Sequence, residues 1–321
     1  MSSAEQRSSD RICRLDLPNP FSVPWTTAHI RASSYGVSYT FISETRFRRQ
    51  MGVAGRMRLV EFALKPLADA GNLTAAALDA RASGNLHSKA SRKIKTELTE
   101  MSRFIFGLDD DLKSCYAALR STNRISRLVK RYRGLRIVKT PSIYESLLIT
   151  ILGQQVSVAA AHSIRLRLME SLGDTIVYNG VKYLGMPPPK RLADTGEARL
   201  KDLGVSRQKA RYLIEMSQRV ADGRLNRKSL LSASCEEAME KLIEIPGVGR
   251  WTAEIVAMRG LGFPDLFPAG DLGLQVAAQK VFEMGHRPSE KELRDIAGQW
   301  EGWRSYAAFY LWMTLMESGY A

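Results

Sequence analysis

A tight turn between two helical stretches constrains this chain more than any other segment does. Residues 242–271 read LIEIPGVGRWTAEIVAMRGLGFPDLFPAGD, with the turn Pro246-Gly247-Val248-Gly249 between the two stretches. Glycines let backbone N–H groups come close to an anion, and the second helix adds the positive end of its dipole. The turn is therefore a candidate clamp for a nucleic-acid phosphate. A plain connection between two helices is the alternative, and the turn alone does not decide between them.

A lone carboxylate follows this turn. Asp271 lies 22 residues beyond Gly249, directly before an amphipathic segment. Aspartate is favoured at the N-cap of a helix because its side chain accepts hydrogen bonds from free backbone N–H groups. From the residues alone, we expect Asp271 to cap a helix.

The charge balance favours a polyanionic partner. The 321 residues include 47 Lys and Arg against 33 Asp and Glu, a formal net charge of +14, as is common in proteins that bind nucleic acids or anionic surfaces. Residues 121–140 hold seven basic side chains and no acidic one. A charge run is usually the solvated face of a helix, and we expect that role for most of the seven. They are Arg124, Arg127, Lys130, Arg131, Arg133, Arg136 and Lys139.

Cysteine and histidine usage does not indicate a metal or redox site. The 3 cysteines and 4 histidines are dispersed, so we expect neither a disulfide framework nor paired metal ligands. The start of the chain is polar, and no run of about 18 apolar residues suggests a membrane span. We expect a soluble intracellular protein that does not contact membranes, cytoplasmic in a prokaryote and nuclear in a eukaryote.

The first third of the chain has a mixed character, and we predict an α+β domain over residues 1–108. Alternation of apolar and polar residues indicates strands, and Gly52 and Gly55 interrupt them. The predicted strands are residues 11–17, 37–47 and MRLVEFALK at 57–65, and the predicted helices are residues 73–82 and 88–106.

From about residue 109 the periodicity is helical, and no strand signal of comparable strength follows. The run 142–173 is predicted to be helical, with Ser142 and Glu145 as a capping box at its start. A proline triplet at 187–189 interrupts the region, because proline is not compatible with a helix interior. We predict that residues 109–321 are all-α.

Seven motifs follow one another along the chain: FGLDDDL, ILGQQVSVAAA, PPPKRLA, LGVSRQKA, IPGVGRWTAEIVAMRG, FPAGD and WRSYAAFYLWM. In this order they resemble the motifs of the 3-methyladenine DNA glycosylase II family of the helix-hairpin-helix superfamily. About the last two thirds of the chain carry them, whereas the first hundred residues fit the family's α+β domain by composition and position. The resemblance implies an α+β N-terminal domain followed by a mostly α glycosylase core, in which two helical subdomains flank the active-site cleft.

The resemblance gives Asp271 a second role. In similar enzymes the carboxylate at this position faces the sugar of an extruded nucleotide. There it stabilises the positive charge that develops as the base leaves, and it helps to place the attacking water. Capping a helix and catalysis are compatible, and we expect Asp271 to do both.

The same resemblance implies a monofunctional enzyme that requires no cofactor. Superfamily members that also cut the strand carry a lysine where this chain has Trp251, since an amine forms a Schiff base with the deoxyribose. Members with an iron–sulfur cluster need four cysteines after the helical core, and the last cysteine here is Cys235. A structural K⁺ or Na⁺ is implied at the backbone carbonyls of Ile243, Ile245 and Val248.

A base pocket is implied as well. Trp251 and Trp312 match aromatic positions that line the pocket of the family, and electron-rich rings suit the positively charged rings of N-alkylated purines. Packing in the core is the alternative for either tryptophan. Ile255 and Met313 stand where tyrosines are expected, which makes this pocket less aromatic.

The implied DNA contacts come from two segments. Gln155 matches the residue that fills the gap left by the flipped base, and Gln154 is the competing candidate. The expected contacts of the turn and the second helix with DNA come from Gly247, Val248, Gly249, Arg250 and Thr252.

These expectations give one hypothesis and two alternatives. The hypothesis is a monomeric, monofunctional DNA glycosylase that acts on damaged double-stranded DNA. It hydrolyses the N-glycosidic bond of alkylated purines, with deaminated purines as a second substrate class. A non-catalytic DNA-damage-binding protein is the first alternative, which Asp271 disfavours. An oxidised-guanine glycosylase with lyase activity is the second, which Trp251 disfavours.

Overall fold

The computed structural model describes residues 13–32, 38–66, 75–82, 88–120 and 123–317. Some predicted segments extend beyond these ranges: residues 11, 12 and 37 of two strands, residues 73 and 74 of a helix, and Ser121 and Thr122 of the basic segment.

The N-terminal part is a five-stranded antiparallel sheet in the order β1-β5-β4-β3-β2. One helix, α1, follows β1, and a longer one, α2, packs against the sheet. Aromatic rings of the sheet and of the end of α2, among them Phe47, Phe62 and Phe106, fill the core of this part. The bounds are β1 (Cys13–Asp16), α1 (Val23–Ala32), β2 (Thr40–Phe41), β3 (Arg46–Val53), β4 (Arg56–Pro66), β5 (Ala75–Ala82) and α2 (Ser88–Ile105).

Most of the predicted N-terminal elements are present. β1, β4 and α2 confirm the strands predicted at 11–17 and 57–65 and the helix predicted at 88–106, within the described residues. The strand predicted at 37–47 is divided into β2 and the start of β3. Ile42 N donates to Arg46 O at 2.8 Å, so the chain reverses direction at that point.

The helix predicted at residues 73–82 is wrong. The described part of this segment is β5, which pairs antiparallel with both β4 and β1. Its sequence AAALDARA is rich in alanine, the strongest helix former. Pairing with two neighbouring strands decides its structure instead, because each strand would otherwise leave a row of backbone groups without partners.

The helical region begins with α3 and ends with α15. A π-helical turn, Ala257–Leu261, extends α12, and a 3₁₀ turn, Gly298–Trp300, follows α14. No helix within the described ranges has the length and the apolar character needed to cross a bilayer. The bounds are α3 (Leu112–Leu119), α4 (Asn123–Arg131), α5 (Ile143–Gly153), α6 (Val158–Leu172), α7 (Pro189–Ala193), α8 (Glu197–Asp202), α9 (Arg207–Ala221), α10 (Arg227–Leu231), α11 (Cys235–Ile243), α12 (Arg250–Val256), α13 (Leu272–Phe282), α14 (Glu290–Ala297) and α15 (Arg304–Glu317).

Residues 109–321 are not all-α. A hairpin of two short strands, β6 (Thr175–Tyr178) and β7 (Val181–Leu184), lies between α6 and α7. Its turn is Asn179-Gly180, and both residues have positive φ, 50° and 76°. Asn-Gly between apolar residues is the strongest local signal for a tight hairpin, so the sequence contained the information needed to predict this element.

The capping box predicted at Ser142 and Glu145 forms only in part. The Ser142 side chain accepts a hydrogen bond from Glu145 N at 3.1 Å, which starts α5 as expected. The Glu145 carboxylate binds Arg49 of β3 instead of the cap, at 2.6 and 2.8 Å. Both side chains are buried. This ion pair joins the N-terminal sheet to the helical region.

Two hydrophobic cores fill the helical region. The first is built mainly from α5, α9, α11 and α12, and the second mainly from α3, α4, α13 and α15. Helix α12 contributes to both, since Ala253 and Val256 pack in the first core and Ile255 in the second. The turn at 246–249 precedes α12, and Asp271 precedes α13. The predicted site therefore lies where the two cores meet.

Candidate active site and DNA interface

The turn at residues 246–249 depends on glycine at one position more than at the other. Gly247 has a φ of +82°, and a Cβ there would overlap the ring of Tyr212 from α9. Gly249 has a φ of −83°, and a Cβ there would meet nothing within 4 Å. The packing against Tyr212 and the positive φ thus both require glycine at position 247. Gly249 instead faces open space at the start of α12, where an anion would approach.

Asp271 is the N-cap of α13, as the sequence predicts. Its Oδ1 accepts hydrogen bonds from Leu274 N at 2.8 Å and from Trp312 Nε1 at 3.0 Å. Its Oδ2 accepts one from Trp251 Nε1 at 3.1 Å. Three helices, α12, α13 and α15, therefore orient one carboxylate, whose Oδ2 retains a lone pair for a further ligand.

Both tryptophans predicted for the base pocket lie beside this carboxylate. Trp251 and Trp312 are half-buried and pack against the second core with one side. Their indole N–H groups hold Asp271, a contact that the sequence did not predict. Ile255 is 8% exposed and Met313 is 1% exposed, so the structure does not bring these two side chains to the open surface around Asp271.

Gln154 and Gln155 lie in the loop between α5 and α6 and have different surroundings. Gln154 Nε2 donates to Gly247 O at 2.8 Å and to Thr252 Oγ1 at 2.9 Å, which ties this loop to the turn. Gln155 is exposed and has a φ of +53°. The side chain of Gln154 is therefore occupied within the protein, while that of Gln155 is available for a partner.

The remaining predicted DNA contacts divide by exposure. The Arg250 side chain is 68% exposed and reaches back to the buried Glu254 at 3.3 Å, so its guanidinium lies at the surface beside the turn. Thr252 and Val248 are 2% and 4% exposed. A contact of either residue with DNA would have to come from its backbone.

The basic segment at 121–140 serves two purposes. Arg136 Nη1 donates to Gly107 O at 2.6 Å and to Asp110 O at 2.8 Å, and Lys139 Nζ binds the Asp110 carboxylate at 2.7 Å. Burial lowers the pKa of Lys139. These two cations thus hold the fold together. The solvated face expected for the segment comprises the exposed residues Arg127, Lys130, Arg131 and Arg133.

The implied monovalent cation has ligands of the right type at the turn. Ile245 O accepts a hydrogen bond from Val248 N at 2.9 Å, and a carbonyl oxygen has a second lone pair for an ion. Ile243 ends α11, where helix carbonyls lack partners within the helix. In the part of the chain that the structure describes, no cluster of three or more His, Cys, Asp or Glu side chains is suited to a metal ion.

Comparison with known proteins shows the family of this chain. A family model of the HhH-GPD superfamily of base excision DNA repair proteins matches residues 148–302. A Bacillus subtilis DNA-3-methyladenine glycosylase is 36% identical over 210 residues, which cover 65% of this chain and 69% of that protein. The chain belongs to the 3-methyladenine DNA glycosylase family.

Comparison with solved structures shows that the similarity in fold includes the N-terminal sheet. A 3-methyladenine DNA glycosylase from Archaeoglobus fulgidus has a TM-score of 0.78 at 23% identity, covering 95% of this chain and 98% of that one. A Schizosaccharomyces pombe 3-methyladenine DNA glycosylase in complex with abasic DNA has a TM-score of 0.54 at 26% identity, covering 63% and 96%. The first shows that the α+β part and the helical part together form a known fold.

Two further residues of this glycosylase-family chain support the site, although the sequence did not single them out. Lys209 Nζ donates to Leu152 O at 2.9 Å and to Gln154 O at 2.6 Å. Tyr212, three residues later on α9, packs against Gly247. Their spacing places both on one face of a helix, but nothing in the sequence shows what that face contacts.

Proposed function

We propose that this chain hydrolyses the N-glycosidic bond of alkylated purines in double-stranded DNA, acting as a monomer on genomic DNA within the cell. The observation that carries the proposal is the Asp271 carboxylate. It is fixed by two indole N–H groups and a helix N-terminus, between the two cores and beyond the turn. Membership of the 3-methyladenine DNA glycosylase family gives the reaction class, and base excision repair is the process it serves.

The charge of Asp271 accounts for the rate enhancement. As the bond between the base and C1′ breaks, its electron pair goes to the base, and the sugar becomes a cation. A fixed carboxylate stabilises that cation, because its orientation costs nothing at the moment of reaction. A water held at the free lone pair of Oδ2 then adds its oxygen to C1′. Its proton passes to the carboxylate or to solvent, and an abasic site remains.

The donors around Asp271 favour one class of base. A purine alkylated at N3 or N7 carries a positive charge and leaves as a neutral molecule, so it needs no proton from the enzyme. A deaminated purine is neutral and needs a proton to leave easily. The donors to Asp271 are an amide and two indoles, which do not act as acids near neutral pH. We therefore place alkylated purines above deaminated ones as substrates.

Water, not an amine, is the nucleophile in this proposal. Trp251 occupies the position after Gly-Val-Gly-Arg, and its indole donates to Asp271 instead of attacking the sugar. An indole nitrogen forms no Schiff base, so the enzyme does not cut the strand after the base has left. This chemistry disfavours an oxidised-guanine glycosylase with lyase activity.

DNA binding is proposed to use the turn and the neighbouring loop. The open space at Gly249 and the exposure of Arg250 support a phosphate contact there, and the exposure of Gln155 supports its entry into the duplex where a base has left. A K⁺ or Na⁺ held by the carbonyls of Ile243, Ile245 and Val248 would add positive charge beside the phosphate. No organic cofactor is part of the proposal.

A product assay tests the proposal directly. Duplex DNA treated with a methylating agent is incubated with the protein, and the released material is identified by mass spectrometry. We expect free N-alkylated purines and an uncut strand with abasic sites. Retained bases with tight DNA binding would indicate a damage-binding protein, and strand cleavage with an adduct trapped by borohydride would indicate a lyase.

A further inference from the structure

We propose that helix α9 holds the two DNA-contacting segments in register, with Lys209 and Tyr212 as positioning residues for extrusion of the damaged base. The wedge loop is residues 154–157, between α5 and α6, and the turn is residues 246–249. This inference rests on the proposed function, since it concerns how the same enzyme reaches a base within the duplex.

Half-buried Lys209 binds the start of the wedge loop. Its Nζ donates to the carbonyls of Leu152 and Gln154, at 2.9 and 2.6 Å. These carbonyls belong to the C-terminal end of α5, where they lack partners in the helix and where the dipole favours a cation. Partial burial lowers the pKa of Lys209. The ammonium group of this half-buried lysine is thus engaged with two backbone carbonyls of the protein.

The contact continues from the wedge loop to the turn. The backbone of Gln154 accepts from Lys209, and its side chain donates to Gly247 O and Thr252 Oγ1. Gln155 follows at a φ of +53°, a conformation that is unfavourable for a residue with a side chain and persists only where its neighbours hold it. The hydrogen bonds on either side of Gln154 supply that restraint.

Tyr212 supports the turn from the same face of α9. Gly247 packs so closely on the Tyr212 ring that even a methyl group would not fit between them. The Tyr212 hydroxyl accepts from Gln208 Nε2 at 2.6 Å, which fixes the ring at its outer end. The neighbouring residues Ala210 and Leu213 pack in the first core and fix the position of α9. One rigid helix thus sets the distance between the turn and Gln155.

Lys209 makes no direct hydrogen bond to the Asp271 carboxylate. The hydrogen-bond partners of Asp271 lie on α12, α13 and α15, whereas within the described residues Lys209 Nζ donates to the loop carbonyls of Leu152 and Gln154. Loss of Lys209 should consequently impair the extrusion of a paired base while leaving the chemistry on an already unpaired base nearly unchanged. A residue that merely stabilises the fold would affect both substrates alike.

The test compares Lys209→Met and Lys209→Arg with the wild type in single-turnover excision of 7-methylguanine. One duplex pairs this base with cytosine, and a second places it opposite an abasic-site analogue, where it is already unpaired. We expect Lys209→Met to be slower by roughly tenfold or more on the paired base, the size of effect for losing hydrogen bonds of a charged group. We expect a change within about twofold on the unpaired base.

Controls separate this role from a general loss of stability. Lys209→Arg retains a donor of similar reach and should recover most of the rate, while Lys201→Met, at an exposed lysine of α8, should behave like the wild type. A 2-aminopurine beside the lesion reports unstacking by an increase in its fluorescence. This increase should be slower with Lys209→Met than with the wild type, Lys209→Arg or Lys201→Met. Thermal unfolding is measured for every variant.

Tyr212 gives an independent comparison. Tyr212→Phe retains the ring against Gly247 and should bind a duplex with an abasic-site analogue like the wild type. Tyr212→Ala removes the support of the turn and should bind several-fold more weakly, since a displaced turn loses phosphate contacts.

Three outcomes would overturn the inference: equal slowing of Lys209→Met on both duplexes, unchanged rates on both, or no recovery with Lys209→Arg at wild-type stability. Failure of the proposed function has a different signature. In that case the wild type itself would release no base from either duplex.

Discussion

The carboxylate of Asp271 accepts three hydrogen bonds, and an asparagine preserves only part of this arrangement. In Asp271→Asn the amide oxygen continues to cap α13, while the amide NH₂ faces the Trp251 indole N–H. The lost hydrogen bond should cost about 1 kcal/mol of stability. Removal of the negative charge should slow excision by about 10²- to 10³-fold, because the sugar cation loses its stabiliser.

Single-turnover excision and chemical denaturation measure these two effects of Asp271→Asn separately. Binding to a duplex with an abasic-site analogue should persist, since the turn and wedge loop are unchanged. Excision at the wild-type rate would remove Asp271 from the chemistry.

Trp312 has two separable properties, its ring and its N–H group. Trp312→Phe keeps an aromatic ring and removes the donor to Asp271 Oδ1, so we expect a decrease of about tenfold in the rate of excision. Trp312→Ala also removes stacking on the flipped base, which is worth about 1 to 3 kcal/mol, and should be slower still. If Trp312→Phe excises like the wild type, the ring matters and the hydrogen bond does not.

At the scale of elements, the turn before α12 distinguishes its two glycines. Gly249→Ala places a methyl group in open space, so the fold should keep its stability while duplex affinity falls, because the methyl group meets the phosphate. Gly247→Ala meets the Tyr212 ring at a positive φ and should destabilise the protein by more than about 1 kcal/mol. Thermal unfolding and DNA titration of both variants measure this difference. Equal stability of the two variants would contradict the packing of Gly247.

The helical elements also show how the site depends on helix ends. Asp271 caps α13, the turn precedes α12, and Lys209 satisfies the end of α5. Helix ends carry backbone groups without partners within the helix, so they are the natural places at which a side chain or an anion binds. These three contacts of the candidate site each use such an end.

At the scale of the whole molecule, a buried histidine joins the N-terminal part to the π-helical turn that extends α12. His29 of α1 is 4% exposed, and its Nε2 lies 3.1 Å from both terminal nitrogens of Arg259 in the π-helical turn. Burial and the neighbouring Arg259 cation hold the pKa of His29 well below its usual value. The folded protein therefore contains a neutral His29 that accepts hydrogen bonds from the guanidinium.

The sign of the resulting pH dependence follows from this depressed pKa. Above the pKa of a histidine in the unfolded chain, about 6.5, neither state binds the proton. Below it, the unfolded state binds the proton while His29 of the folded state stays neutral. The free energy of unfolding should therefore fall as the pH falls, by about 1 kcal/mol over the first unit below that pKa. Denaturation curves at several pH values should show this decrease in the wild type and a smaller one in His29→Gln. The same decrease in the wild type and in His29→Gln would contradict this role of His29. His286→Gln, at an exposed histidine, is the control.

The sequence by itself determined the order of the elements around the candidate site and the residues proposed to carry its chemistry. The turn at 246–249, the N-cap at Asp271 and the tryptophan in place of an amine are local patterns, set by backbone conformation and by residue type. The strands β1 and β4 and the helix α2 followed from periodicity for the same reason. The Asn179-Gly180 hairpin was equally local and was overlooked.

Tertiary structure alone decided the features that depend on residues far apart in the chain. Pairing with β1 and β4 made an alanine-rich segment a strand, and the buried Arg49–Glu145 pair replaced half of a capping box. The proposal of Gln155 over Gln154 as the residue that enters the duplex rests on a contact of Gln154 with Gly247, 93 residues away. Local propensities differ by less than about 1 kcal/mol per residue, whereas burial, strand pairing and buried charges contribute more. Contacts across the fold therefore decide wherever the two compete.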